Sequence, residues 1–187
     1  LLLSRPLGSG VLFAAAMKGE NNPTDLDLCI NQLKVSQHFL LENLLKKQND
    51  KSDSDVGYAC TDITGFGLLG HLNEMLDSSN LERRRNGLSL LKIVLEIEKI
   101  PSYPGVLELF KRGYFSTLAP ANRRLWDLFK TTNNSIATFE WDKYSISIGS
   151  SRYNQIMELI VDPQTCGPLL LACSPDLGHE LINQGPW

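Results

Sequence analysis

Residues 58–72 read YACTDITGFGLLGHL, a short apolar stretch that meets one carboxylate, two threonines and three glycines before a helical pattern begins. Such a junction suits a phosphate ligand. Glycines let the backbone turn through positive φ and approach a ligand closely, and the following helix would aim its unpaired first N–H groups at an anion. Asp62 is the anomaly, because a carboxylate beside a phosphate is repelled unless a hard cation lies between them. The stretch therefore suits a magnesium–nucleotide better than a bare anion. The same residues also suit an ordinary Asx turn and helix N-cap.

Gly65, Gly67 and Gly70 satisfy the dinucleotide pattern G-x-G-x-x-G, yet two details oppose a dinucleotide fold. The first glycine of that fold follows an apolar strand directly, without an Asp-Ile-Thr insert. Its second half should then supply an apolar strand ending in an acid. Here Glu82 and the triplet Arg83, Arg84, Arg85 follow, which read as a solvated turn.

The chain has 187 residues, 42% of them hydrophobic, and a net charge of −3, enough for one sizeable core in an ordinary globular protein. Its basic residues are scattered apart from the arginine triplet, which argues against a nucleic-acid surface. Cys29, Cys60, Cys166 and Cys173 lack C-x-x-C pairing and zinc-site spacing, so a reduced cytoplasmic setting is expected. No segment has the apolar length of a membrane span, and the start lacks the order of a signal peptide. The chain opens without Met, inside an apolar run, and closes on Gly-Pro-Trp, so a fragment of a longer polypeptide is expected.

Pattern and breakers predict a strand at 1–4, a glycine turn at 6–10 and a short helix at 11–18. Thr24 is expected to cap one long amphipathic helix whose face carries Leu26, Ile30, Leu33, Leu40, Leu41, Leu44 and Leu45. A strand at 56–61, the glycine loop and a helix at 68–76 follow. A strand at 91–97, a short helix framed by Pro104 and Gly113, and a helix at 121–130 come next. Residues 131–151 carry no firm pattern. A helix at 153–160, a polar loop at 162–168, a strand at 169–173 and a helix from Pro175 complete one α+β domain.

The loop at 162–167 offers a carboxylate, an amide, a hydroxyl and a thiol, as a polar ligand would need or as a plain turn would contain. Cys166 reads as a small packing residue, since nothing nearby supplies the positive charge of a reactive thiol. His71 reads as a packing or hydrogen-bonding residue, because no second ligand stands at metal spacing.

Three strings, RPLGSG at 5–10, TDITGFGLLGHL at 61–72 and DPQTCGPLLLA at 162–172, resemble in order and separation the C-terminal half of selenophosphate synthetase, or selenide, water dikinase. The resemblance runs with gaps from about residue 3 to 174. It implies a mixed sheet packed with helices, the C-terminal domain type shared with aminoimidazole ribonucleotide synthetase, with the whole of 1–187 as a single C-terminal domain. It also implies that ATP, selenide and water yield selenophosphate, AMP and phosphate, with Mg2+ bridging the nucleotide phosphates. The family's aspartate metal ligand falls on Asp62. Thr61, Thr64, Gly65 and Gly67 are carried over as neighbours lining the phosphate end.

One carboxylate makes a poor magnesium site. The remaining ligands and the catalytic Cys or selenocysteine and Lys belong, in that family, to an N-terminal half absent from this chain. No catalytic residue is therefore assigned here, and the isolated chain is expected to be inactive. The expected partners are ATP, selenide, the N-terminal half and a second copy in a homodimer, with neither nucleic acid nor membrane. Cys166 and Pro168 depart from the family's D-P-Q-T-S-G-G, and proline there removes an N–H. The alternative is a non-catalytic dimerisation or carrier module in a fusion protein, for example behind a flavin-dependent oxidoreductase.

Overall fold

The computed structural model describes residues 1–50, 59–96, 99–129, 139–141 and 149–183. Its centre is a three-stranded antiparallel sheet in the order β1 (Leu2–Leu3), β5 (Leu169–Ala172), β2 (Ala59–Asp62). Leu2 pairs with Leu171 and Leu3 with Leu170 on one side. On the other, Thr61 pairs with Leu170 and Asp62 with Leu169. The middle strand is apolar without alternation because both of its faces are covered. Leu170 enters the main core with Leu7, Val11, Ile63, Leu69 and Leu159, while Leu171 joins a second cluster with Leu44, Leu177 and Leu181. The second cluster reaches the sheet from α3 (His38–Asp50) and α8 (Pro175–Asn183).

A separate parallel pair joins β3 (Ile93–Leu95) to β4 (Phe139–Trp141). The strand expected at 91–97 is thus shorter, and β4 lies in the stretch that carried no pattern. The strand expected at 56–61 reaches Asp62, its first part lying outside the described residues. A β-α-β unit of the dinucleotide kind is not formed at the glycine loop, since β2 enters an antiparallel sheet.

The helices depart from expectation in instructive ways. The run from Thr24 is two helices, α2 (Pro23–Leu33) and α3, and the cap is Asn22, whose side chain accepts from the Thr24 N–H at 2.9 Å. Tertiary contacts hold the break open. Arg5 donates to the Val35 carbonyl at 2.8 Å, and Gln37 donates to the Gly167 carbonyl at 3.0 Å while accepting from Ser4 Oγ. Leu40 and Leu44 are buried as expected, but Leu41 and Leu45 face out.

The helix after the glycine loop, α4 (Gly67–Arg85), absorbs the arginine triplet into its last turn. Cations there are favoured by the partial negative charge of a helix C-terminus, and Gly87 at φ +66 ends the run. The helix α1 (Ser9–Ala16) starts before the expected position, and α5 (Val106–Lys111) is capped by Gly105. Only Ala119–Asn122, α6, is α-helical in the next segment, and a 3-10 stretch follows at Arg123–Phe129. The helix α7 (Ser151–Val161) is capped by Ser150, which accepts from the Tyr153 N–H.

Gly67 sits at φ +68, and an added Cβ would lie 2.8 Å from the Val161 carbonyl carbon. Replacing Gly67 with Ala should therefore cost about 3 kcal/mol from backbone strain plus overpacking. Gly19, at φ +70 with open space around it, provides the control, where Ala should cost only about 1 kcal/mol. Urea unfolding of the two variants measures the difference.

Candidate functional site

The three sequence strings, far apart in the chain, converge in space. The turn at 5–10 feeds α1, whose first N–H groups lack a capping side chain of their own. Gln164 supplies it, its Oε1 accepting from Gly8 N at 2.9 Å, Ser9 N at 3.2 Å and Ser9 Oγ at 3.1 Å. Asp162 Oδ2 accepts from Val11 N at 3.1 Å. Gln164 Nε2 donates back to the Asp162 carbonyl at 2.8 Å, and the Gln164 N–H donates to the Thr64 carbonyl at 3.0 Å. One side chain and its amide thus tie the α1 N-terminus, the 162–168 loop and the glycine loop together.

Close backbone approach completes the junction. A Cβ on Gly167 would lie 1.7 Å from the Ile63 carbonyl oxygen, and one on Gly10 would lie 2.1 Å from that of Pro163. The Ile63 N–H donates to the Pro168 carbonyl at 2.9 Å. Asn122, buried, bonds the carbonyls of Gly65 and Val161 at 2.8 and 3.1 Å. No local pattern marks Asn122 for that role.

The polar groups of the 162–168 loop are thus largely spent on structure. Asp162 is fully buried, and burial pushes its carboxyl up to about 7 against the pull of the Val11, Gln164 and Gly10 donors. Its Oδ1 has no hydrogen-bond partner among the described residues. Cys166 is exposed at φ +46, not the packing residue expected, and its carbonyl accepts from Arg5 at 3.1 Å. Pro168 is buried and leads into β5 without needing an N–H.

Asp62 stands apart from this network. It ends β2 at the sheet edge with an exposed side chain, and its carboxylate makes no hydrogen bond or ion pair among the described residues. Its charge, after burial, raises the neighbouring Cys60 thiol above the ordinary value. Thr61 is half-buried, Thr64 exposed, Gly65 half-buried with open space beside it, and Gly67 buried at the start of α4. The first turn of α4 has no side-chain cap, though the Gly67 N–H already donates to the Thr64 carbonyl at 3.1 Å. Among the described residues no three His, Cys, Asp or Glu side chains gather to hold a metal ion. An available carboxylate fits a magnesium ligand, but one carboxylate alone does not make a magnesium site.

His71 bonds as expected, with Nε2 3.2 Å from Thr64 Oγ1 and Nδ1 3.2 Å from Glu74. The i, i+3 spacing of His71 and Glu74 on a helix was the readable signal for that pair. A groove of about 340 Å3 lined by Leu1, Leu3, Leu68, Leu72, Leu95 and Ile100 is mostly hydrocarbon and touches none of the five predicted site residues. No helix among the described residues is long and apolar enough to cross a membrane.

Comparison with known proteins agrees with this arrangement. The family model for AIR synthase related protein, C-terminal domain, matches residues 1–100, which contain the 5–10 turn and the whole glycine loop. The chain belongs to this family. The α+β fold expected from sequence is the fold observed. Among curated relatives, the selenide, water dikinase of Pseudomonas straminea is 28% identical over 98% of this chain and 42% of its own length. Those of Paraburkholderia xenovorans and Bordetella bronchiseptica are 30% and 31% identical, over 97% and 94% of this chain and 42% and 40% of theirs. The chain spans about two fifths of the length of these relatives, and the resemblance to selenide, water dikinases extends across all three strings.

Asp162 generates a pH test. Its folded-state pKa, about 7, lies above the unfolded value near ~4, so the folded protein keeps a proton that the unfolded chain has released. Its contribution to stability is complete below about pH 4 and is lost as pH rises to about 7. Thermal unfolding from about pH 5 to pH 8 should lower the Tm by roughly 5 °C more in the wild type than in Asp162→Asn. Parallel curves would exclude the buried proton.

Proposed function

We propose that this chain is the C-terminal domain of an ATP-dependent selenophosphate synthetase, in which Asp62 is its magnesium ligand. Thr61, Thr64, Gly65 and Gly67 line the phosphate end of the nucleotide site. The observation that carries the reading is the contrast between two aspartates in the family strings. Asp162 is buried and hydrogen-bonded, whereas Asp62 is exposed and unpaired among the described residues, held on an edge strand beside a glycine loop. Leaving a carboxylate unpaired at a rigid junction suits a ligand position better than a structural one.

Bound magnesium would neutralise phosphate charge during transfer. The chain's own part is positional. The Gln164 N–H holds the Thr64 carbonyl and the Pro168 carbonyl holds the Ile63 N–H, so the backbone on the C-terminal side of Asp62 is fixed before a nucleotide arrives. The other metal ligands and the catalytic residues would come from an N-terminal half of the same polypeptide. Selenide and water as co-substrates follow the names of the relatives. We also take the full-length protein to be a homodimer, and the four free cysteines fit a cytoplasmic setting.

Selenide-dependent AMP release by the full-length protein tests this reading. Asp62→Asn should reduce turnover by about 100-fold or more, while this chain alone should release no AMP. Unchanged turnover in the variant would instead favour a non-catalytic module.

A further inference from the structure

Three side chains beside the proposed nucleotide site form a connected row. Glu74 Oε2 lies 3.2 Å from His71 Nδ1, and His71 Nε2 lies 3.2 Å from Thr64 Oγ1. The histidine is buried, with its ring tilted against Phe66 at 5.9 Å between centroids, while Thr64 is exposed. Thr64 is also pinned, since its carbonyl accepts from both Gln164 N and Gly67 N. Its backbone is thus fixed, and the bond to His71 sets where its hydroxyl lies.

The donor and acceptor inventory decides where that hydroxyl points. An ionised carboxylate only accepts, so Nδ1 must carry the hydrogen. In a neutral imidazole Nε2 is then a bare lone pair. A bare Nε2 takes the Thr64 O–H, and the lone pairs of Oγ1 remain for the outside. Facing outward, Thr64 can accept but cannot donate.

Phosphate oxygens need donors, whereas water held by a hard cation offers hydrogens. Magnesium in nucleotide sites keeps several waters. We propose that Glu74 and His71 are positioning residues that turn the Thr64 hydroxyl inward, so that Thr64 meets the site as the acceptor for a water of the metal's hydration shell rather than as a donor to phosphate. The assignment deepens the nucleotide-site reading, rests on it, and reverses the role that position alone suggests for Thr64.

The first test needs no ligand. In metal-free full-length protein labelled with 15N-histidine, the signal lost in His71→Asn should show a protonated Nδ1 and a bare Nε2. The opposite tautomer, or a doubly protonated ring at neutral pH, would overturn the proposal.

The second test is calorimetric titration of magnesium into the full-length protein with a non-hydrolysable ATP analogue present. Thr64→Val and His71→Asn should raise the magnesium concentration for half-saturation roughly five- to tenfold, a larger change than either makes to nucleotide affinity at saturating magnesium. Thr64→Ser, which keeps the hydroxyl, should restore the wild-type value and guards against a folding defect. Weakened nucleotide binding with an unchanged metal requirement would make Thr64 a phosphate donor and refute the assignment, as would no effect on either. Failure of the wild type to bind magnesium nucleotide at all would instead defeat the parent reading.

Discussion

The amide side chain of Gln164 is the interaction on which the architecture turns. Its oxygen collects the first N–H groups of α1, its nitrogen returns to Asp162, and its own backbone N–H reaches the Thr64 carbonyl. Three chain segments more than fifty residues apart thereby become one rigid block. No hydrophobic contact could do this, because burial is indifferent to direction while hydrogen bonds specify register and angle. Asp162 beneath α1 is the less comfortable half of the arrangement, neutralised in part by its own shifted proton equilibrium.

That block separates two kinds of polar residue that look alike on paper. D-P-Q-T-C-G and T-D-I-T-G-F-G each offer a carboxylate with at least one hydroxyl and one glycine. In the first the carboxylate and the amide are buried, and most of their hydrogen-bonding capacity is spent on the α1 N-terminus and on each other. In the second the carboxylate points outward and is free to meet something else. The glycines likewise divide, since Gly10, Gly67 and Gly167 let backbones touch, whereas Gly65 has space beside it. Burial is what tells the two patterns apart.

Much was readable in advance because it was local. The apolar LLLA run, the helix start at Pro175, the helix before Asp162 and the α+β class all follow from short-range pattern. What escaped was tertiary. Nothing in KVSQ announces a helix break, since the break is held by Arg5 and Gln37 bonding to distant carbonyls. Asn122 gives no sign that it will bridge Gly65 and Val161. Cys166 reads as packing until its positive φ lifts it into solvent. Asp62 stood out in the sequence for a different reason, a chemical one: it is a negative charge beside a glycine loop of the kind that suits a phosphate.

The placement of β5 at the centre of the sheet has a consequence for biosynthesis. Residues 2 and 3 are synthesised long before their partners at 170 and 171. Until then β1 and β2 have no strand between them, and the main core lacks one wall. Folding must wait for nearly the whole segment to be translated, leaving leucine-rich edges without shelter in the meantime. A nascent chain of this kind has reason to depend on chaperones during synthesis.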